Sequence, residues 1–491
     1  MAHYMNEDAL VGGVQPRIWR QVRERAVPAS LMQICLRHIG PSLGNARPII
    51  GIDASATIKH CVRMQGESGA LSMFFERLCR LLTLPATIFF IFDRGGPLAG
   101  TSHVDGTRAG HYTFAHAFSR ECLEIIADLG FTWLASAGEA AADLAILEQR
   151  GAIKLIMSDD ISPLIFGASK MVCWPSNDLA VNGDPVAVDL LHSWRIRRDD
   201  LVLVALLCAG KHFQGFRVSS DVAFRLRAYD LSDDLVRLAH AIVSPAEHLA
   251  ARQAWRQRLY DALAHDALDV LPKGADQLSA DKIPINFPST AILNLVRAYY
   301  NPLVDLTTPV PQFQGSTKPN LAGIIHTVYR RFYPTPAGFP GLRQLTRRLI
   351  HSFWPGVILY GRHAWNGLDV ASCSALRTGF LYFGLDLPPA LQLFDPVTVA
   401  GSVRQPGTWR GISGARIRVD TEPLISAIAR VVRKPVQAVT YENASTLEMC
   451  IPYAVLVPTH PLAWFLLPPP ASEFEGDVDS EVESSEVDGA L

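Results

Sequence analysis

The sequence predicts an α/β protein: a parallel sheet flanked by helices, then a mainly helical region and a small α+β module. Three observations carry this. Short apolar runs too uniform to alternate are separated by segments of helical period, the mark of strands buried on both faces. The runs "RPIIGIDAS", "ATIFFIFDRG" and "AIKLIMSDD" each end in aspartate. No apolar run approaches the roughly 20 residues that cross a bilayer, the longest candidate being "LVLVALLCAG" at 201–210.

Taken in order, residues 47–55 read as a strand ending in Asp53, and 68–84 as a helix with Phe74, Phe75, Leu78 and Leu81–Leu82 on one side. Residues 86–95 form a second strand, ending in Asp93. Residues 111–130 form a helix stopped by Gly130, and "FTWLAS" a short strand. "GEAAADLAILEQRG" is a helix opened by Glu139, and 152–160 and 170–174 are two more strands. A parallel sheet binds ligands at the carboxyl ends of its strands, and Asp53, Asp93 and Asp159–Asp160 stand at such ends. Each acid also has a local use: Asp53 and Asp160 as helix caps, Glu139 as a helix-dipole partner. Four at successive strand ends weaken that account.

Beyond residue 200 the chain reads as helical: a buried helix at 201–210, two short capped helices over 219–243, and a longer one at 246–268. Arg252, Arg256 and Arg258 on the last read as a phosphate-facing stripe or, in preference, a solvated face. Residues 271–360 are Pro-rich, with extended segments and short helices. The expected segments are 13–200 for the core, 201–305 helical, 306–400 Pro-rich, 401–470 a small α+β module and 471–491 an acidic tail. The last 20 residues hold eight acids and no base; without them the net charge of −2 becomes +6. A mildly basic body is compatible with nucleic acid. The tail is expected to be disordered and self-repelling. Eight scattered cysteines contain no CxxC pair, so buried free thiols in a soluble intracellular protein are expected.

The order of these motifs resembles the XPG / flap-endonuclease superfamily of structure-specific nucleases, in particular its fungal Holliday-junction-resolvase branch. "IIGIDASATIKH" resembles the first metal-binding strand. "MFFERLCRLLTLPATIFFIFDRG" resembles the pattern leading to the second aspartate. "GEAAADLAILEQRGAIKLIMSDDISPLIFG" aligns without a gap on the family's "GEAEAELA…TDDxDxLxFG", and "NFPSTAILNLVRAYYNPLVD" is similar to a segment that follows the nuclease core. The resemblance implies a PIN-like sheet, a helix–two-turn–helix region and a centre in which two divalent ions, usually Mg²⁺, clamp the scissile phosphate. Mg²⁺ takes oxygen ligands, which is why acids cluster there.

Carried over position by position, the metal-site acids are Asp53, Asp93, Glu139 and Asp160, with Asp143 on the same helix face as Glu139. Three of the family's seven acids are replaced, at Ala141, Ser162 and Lys211. At most one Mg²⁺ or Mn²⁺ is expected, and Lys211 is expected to salt-bridge the remaining acids in place of a metal. Asp159 is expected to point away from them. The duplex-binding devices are eroded too. In the segment "RGGPLAGTSHVDGTRAGH" after the second aspartate, Arg94 and Arg108 are the only Lys or Arg, and of the glycine loop Gly215 survives, followed by Ser219 and Ser220 as phosphate contacts or helix caps. The first reading is a degenerate nuclease, a pseudoenzyme that binds branched or flap DNA in repair or recombination, in the nucleus, with cleavage lost or weak. The alternatives are an active Mg²⁺- or Mn²⁺-dependent endonuclease and a protein-interaction scaffold.

Overall fold

A computed structural model describes residues 22, 26–37, 47–93, 113–136, 138–174, 187–192, 197–208, 218–271, 283–302, 304, 319–333, 338–357, 359, 397–403 and 414–452. The chain forms two compact units. One holds Met1–Val181 and Pro185–Ala337, the other Asn182–Asp184 and Gly338–Leu491.

The first unit is built on a seven-stranded sheet: β1 Val27–Ser30, β2 Ile49–Asp53, β3 Thr87–Phe92, β4 Thr132–Ala135, β5 Leu155–Met157, β6 Lys170–Cys173 and β7 Ala187–His192. Their spatial order is β1-β7-β6-β5-β2-β3-β4. The run β6-β5-β2-β3-β4 is parallel, as the apolar strands predict, while β7 and β1 add antiparallel pairs. The sheet is therefore mixed, and the sequence reading missed these two strands. "VPAS" contains a proline, which is tolerated here because β1 is an edge strand.

The helix after β2 differs from expectation. It begins at once, as α2 Ala54–Leu82 (a short α1, Leu31–Arg37, precedes β2), and is kinked at Gly66, whose φ of 63° only glycine adopts cheaply. Before the kink it buries Ala54, Ala56, Ile58 and Cys61; after it, Phe74, Phe75, Leu78 and Leu82. The helices α3 Thr113–Asp128, α4 Ala140–Gln149 and the single turn α5 Ser162–Ile165 follow β3, β4 and β5. α4 lies close on β2 because residue 51 has no side chain. A Cβ on Gly51 would stand 2.3 Å from Leu144 Cδ2 and 3.0 Å from Ile153 Cδ1. This glycine thus sets the spacing between the strand carrying Asp53 and the helix opened by Glu139.

α6 Arg198–Cys208 is buried from Asp200 to Cys208, which explains its continuous apolar run. It joins the sheet core to α7 Ser220–Arg225, α8 Leu231–His240, α9 Pro245–His265 and α10 Thr290–Tyr300 through one contiguous hydrophobic cluster. The α9 arginines are partly exposed, Arg258 at 51%, and each is also held by a neighbouring segment. Arg252 donates to the Pro288 carbonyl at 2.8 Å, Arg256 to that of Pro284 at 3.1 Å, and Arg258 pairs with Asp234. They tie α9 to the segment before α10 and to α8. Six cysteines, Cys35, Cys61, Cys79, Cys122, Cys173 and Cys208, are buried thiols. No helix among the described residues is long and apolar enough to cross a membrane.

α11 Leu321–Phe332 is fastened to the end of α3. Asn320 Nδ2 donates to Asp128 Oδ1 at 2.9 Å, and Thr327 Oγ1 to Asp128 Oδ2 at 3.4 Å. Burial nevertheless pushes the Asp128 carboxyl above its ordinary value, against these two donors. A raised acid binds its proton more tightly when folded. Its contribution to stability is full below the unfolded value near 4 and is lost as pH rises through the folded one. Denaturant melts between pH 4 and 7 are expected to show Asp128→Asn gaining on the parent as pH rises; a constant gap would contradict this.

The second unit contains α12 Phe339–Arg348, continued by a π turn at Leu349–Phe353, and an antiparallel sheet of β8 Val397–Val403, β9 Gly414–Asp420 and β10 Thr446–Pro452 in the order β10-β9-β8. α13 Glu422–Val432 and α14 Val436–Val439 lie between β9 and β10 in sequence.

Candidate functional site

The topology gathers the predicted acids. β4, β3, β2 and β5 are consecutive neighbours and mutually parallel, so their carboxyl ends form one edge. Asp53 closes β2 and pairs in register with Ile91 of β3. Asp93 follows β3 directly, Glu139 is the N-cap residue of α4 beyond β4, and Asp160 lies three residues past β5.

At that edge several carboxylate oxygens are held by donors of the chain itself. Asp53, 4% exposed, caps α2: its Oδ1 accepts from the Ala56 N–H at 2.9 Å. Its Oδ2 accepts from the Ser158 hydroxyl at 3.1 Å, and the same hydroxyl accepts from the Asp160 N–H at 3.1 Å. Asp160 Oδ1 then accepts from both the N–H of Ser162, at 3.0 Å, and its hydroxyl, at 2.9 Å. Asp93 donates its N–H to Ser55 Oγ, accepts from the Ala140 N–H on Oδ1 at 2.9 Å, and lies 3.6 Å from Lys59 Nζ through Oδ2. The first amide of α4 is therefore satisfied by Asp93, while Glu139 makes no side-chain cap. Glu139 is buried and Asp143 half-buried in the first turn of α4.

At two of the positions where the resemblance implies further acids, the residues present are integrated into the fold. Ala141 is 2% exposed and part of the hydrophobic core; Ser162 is 6% exposed and bonded to Asp160. Lys211, Arg94, Arg108 and Gly215 lie outside the described residues. Ser219 is exposed and caps α7 by accepting from the Val222 N–H, and Ser220 is buried.

Asp159 turns toward α2. Its Oδ2 is 3.3 Å from Arg77 Nη1 and its Oδ1 3.7 Å from His60 Nδ1, with all three side chains buried. The Arg77 guanidinium also lies 5.0 Å from the centre of the Trp174 ring, within cation–π range. Sequence reasoning passed over Arg77, His60, Ser55, Lys59 and Ser158. One signal was available: Arg77 sits three residues after Phe74 and four before Leu81, on the apolar face of its helix.

A pair of divalent ions needs several carboxylates free to coordinate. Among the described residues no three His, Cys, Asp or Glu side chains are disposed to hold a metal ion. Amide and hydroxyl donors occupy oxygens of Asp53, Asp93 and Asp160. These contacts engage part of the carboxylate set that such a centre would need. With the carboxylates acting structurally, Asp53→Ala is expected to cost about 1 kcal/mol in chelator, the worth of a helix cap. A midpoint unchanged or raised in thermal melts would contradict this role.

The mostly parallel sheet, the acids at its carboxyl edge and the helical region joined to its core are the features to set beside known proteins. Residues 130–211 match the XPG I-region. It is similar to a structure of the eukaryotic junction-resolving enzyme GEN-1 binding cesium, with 20% identity, 92% of this chain and 98% of that chain covered, and a TM-score of 0.62. It is also similar to the Holliday junction-resolving enzyme GEN1 in complex with product DNA and Mg²⁺, with 19% identity, 91% and 96% coverage and a TM-score of 0.57. No curated protein matches the chain.

Proposed function

We propose that the protein binds branched or flap DNA in nuclear repair or recombination and has lost, or nearly lost, the ability to cleave it. The observation that carries this reading is Ser162. It stands where the resemblance implies an acid, and it directs both its N–H and its hydroxyl to Asp160 Oδ1. The burial of Ala141 in the core supports it further. Asp53, Asp93, Glu139, Asp143 and Asp160 then serve the fold first, and hold at most one Mg²⁺ or Mn²⁺. When bound, such an ion supplies charge neutralisation at a phosphate. Lys59 beside Asp93, with Arg94, Arg108, Gly215 and Ser219, is the proposed set of phosphate contacts, and the buried Ser220 is left out of it.

The test is fluorescence anisotropy with a labelled four-way junction, a 5′ flap and a linear duplex in chelator at two salt concentrations. The expected result is tighter binding to the branched substrates, weakening steeply with salt as counterion release requires. Equal affinity for linear duplex, or no binding at low salt, would sink the reading and favour a scaffold.

A further inference from the structure

Most exposed arginines described in the first unit have carboxylate partners, Arg63, Arg150 and Arg227 being without one among the described residues. Arg197 pairs with Asp233, Arg225 with Asp221, Arg237 and Arg258 with Asp234, and Arg331 with Glu121. In the second, Arg343 and Arg347 on α12, and Arg430, Arg433 and Lys434 at the end of α13, are exposed with no carboxylate partner among the described residues. Arg343, Arg347 and His351 follow one another at intervals of four residues along α12 and its continuation, one face of a helix. His351 Nε2 lies 3.2 Å from the Tyr441 hydroxyl, and the charge of Arg347 bears on both groups. α14 packs against both α12 and α13, so the two groups of cations flank one short helix.

The sequence shows where matching charge is available. Residues 338–452 hold twelve Lys and Arg against seven Asp and Glu. The last 20 residues hold eight acids and no base, and 453–471 between them carry none of the four charged types. Those 19 residues of tether span up to about 65 Å when extended. A unit of this size has a radius of gyration of only about 15 Å. The tail therefore reaches any part of the unit's surface, at the high effective concentration of a tethered ligand.

We propose that residues 472–491 dock on the cationic face formed by Arg343, Arg347, Arg430, Arg433 and Lys434 of their own unit. The unpaired cations and the surplus of acid are complementary parts of one chain. Docking neutralises the face and makes any other polyanion compete with the tail for it.

Zero-length carbodiimide coupling of the full-length protein tests this, because it joins carboxylates to amines in contact and Lys434 is the one lysine after residue 318. Peptide mass spectrometry at low salt is expected to find Lys434 as the main lysine coupled to acids within 473–488, with a yield independent of protein dilution. Arg343→Gln with Arg347→Gln is expected to lower that yield about threefold or more, as loss of two surface charge contacts implies, and 0.5 M salt to lower it likewise. Both side chains are exposed, and circular dichroism melts confirm that the variant folds. Coupling spread over Lys59, Lys154 and Lys170, or none, would overturn the proposal. So would a double variant that loses DNA binding while its coupling yield is unchanged, since the face would then serve nucleic acid rather than the tail.

Discussion

Arg77→Ala is expected to lower the unfolding free energy by about 3–5 kcal/mol, the cost of breaking a buried ion pair and stranding its partner. Arg77 is 1% exposed, and its partner Asp159 is 6% exposed. The substitution removes the guanidinium that Asp159 Oδ2 meets at 3.3 Å and that lies over Trp174. His60, 3.7 Å from Asp159 Oδ1, is the other cation-forming group against that carboxylate in the cluster. Asp159 separates Ser158 from Asp160, so loosening it also disturbs the hydrogen bonds that bind Asp53 to Asp160. Urea unfolding measures the effect. Combining Arg77→Ala with Asp159→Asn is expected to recover part of the loss, because no charge is then stranded. A loss below about 1 kcal/mol for Arg77→Ala would mean that water or rearrangement replaces the pair.

The second large effect is a gain. Ala141→Glu, Ser162→Asp and Lys211→Asp together are expected to create divalent-metal binding that the parent lacks. Ala141→Glu alone buries a carboxylate in apolar surroundings and is expected to cost about 1–3 kcal/mol. In the triple variant an ion compensates that charge. Mn²⁺ should then raise its melting temperature by mass action, by roughly 2.7 kcal/mol of stability at a hundredfold excess over Kd. Cleavage of a four-way junction should rise on the order of 10²-fold or more, the usual scale for restoring a metal-site group. A parent melting temperature that moves with Mn²⁺ as far as the variant's would show that the existing acids already form the site.

The parallel part of the sheet was legible because β2, β3 and β5 are buried on both faces and so uniformly apolar, and each ends in a turn marked by an acid. The gathering of Asp53, Asp93, Glu139 and Asp160 followed from strand order, which short parallel crossovers restrict. β1 and β7 were not legible. "VPAS" carries a proline, and the antiparallel addition of β7 depends on long-range pairing with β6. The first half of α2 was hidden because "ASATIKH" is rich in small and β-branched residues, and its start is dictated by the Asp53 cap rather than by propensity. The α9 arginines resembled a solvated face because the carbonyls they hold, at Pro284 and Pro288, lie about 30 residues away in sequence. The role of Ser158 as a bridge between two acids is likewise a tertiary fact: Asp53 and Ser158 are 105 residues apart.

The most direct measurement is cleavage of labelled Holliday-junction and 5′-flap DNA by the full-length protein in Mg²⁺ and in Mn²⁺, beside Asp93→Asn, with binding followed in the same reactions. The account predicts bound, uncut DNA for both proteins. Cutting by the parent that disappears in Asp93→Asn would show that the surviving acids suffice, and that the protein is an active metal-dependent endonuclease.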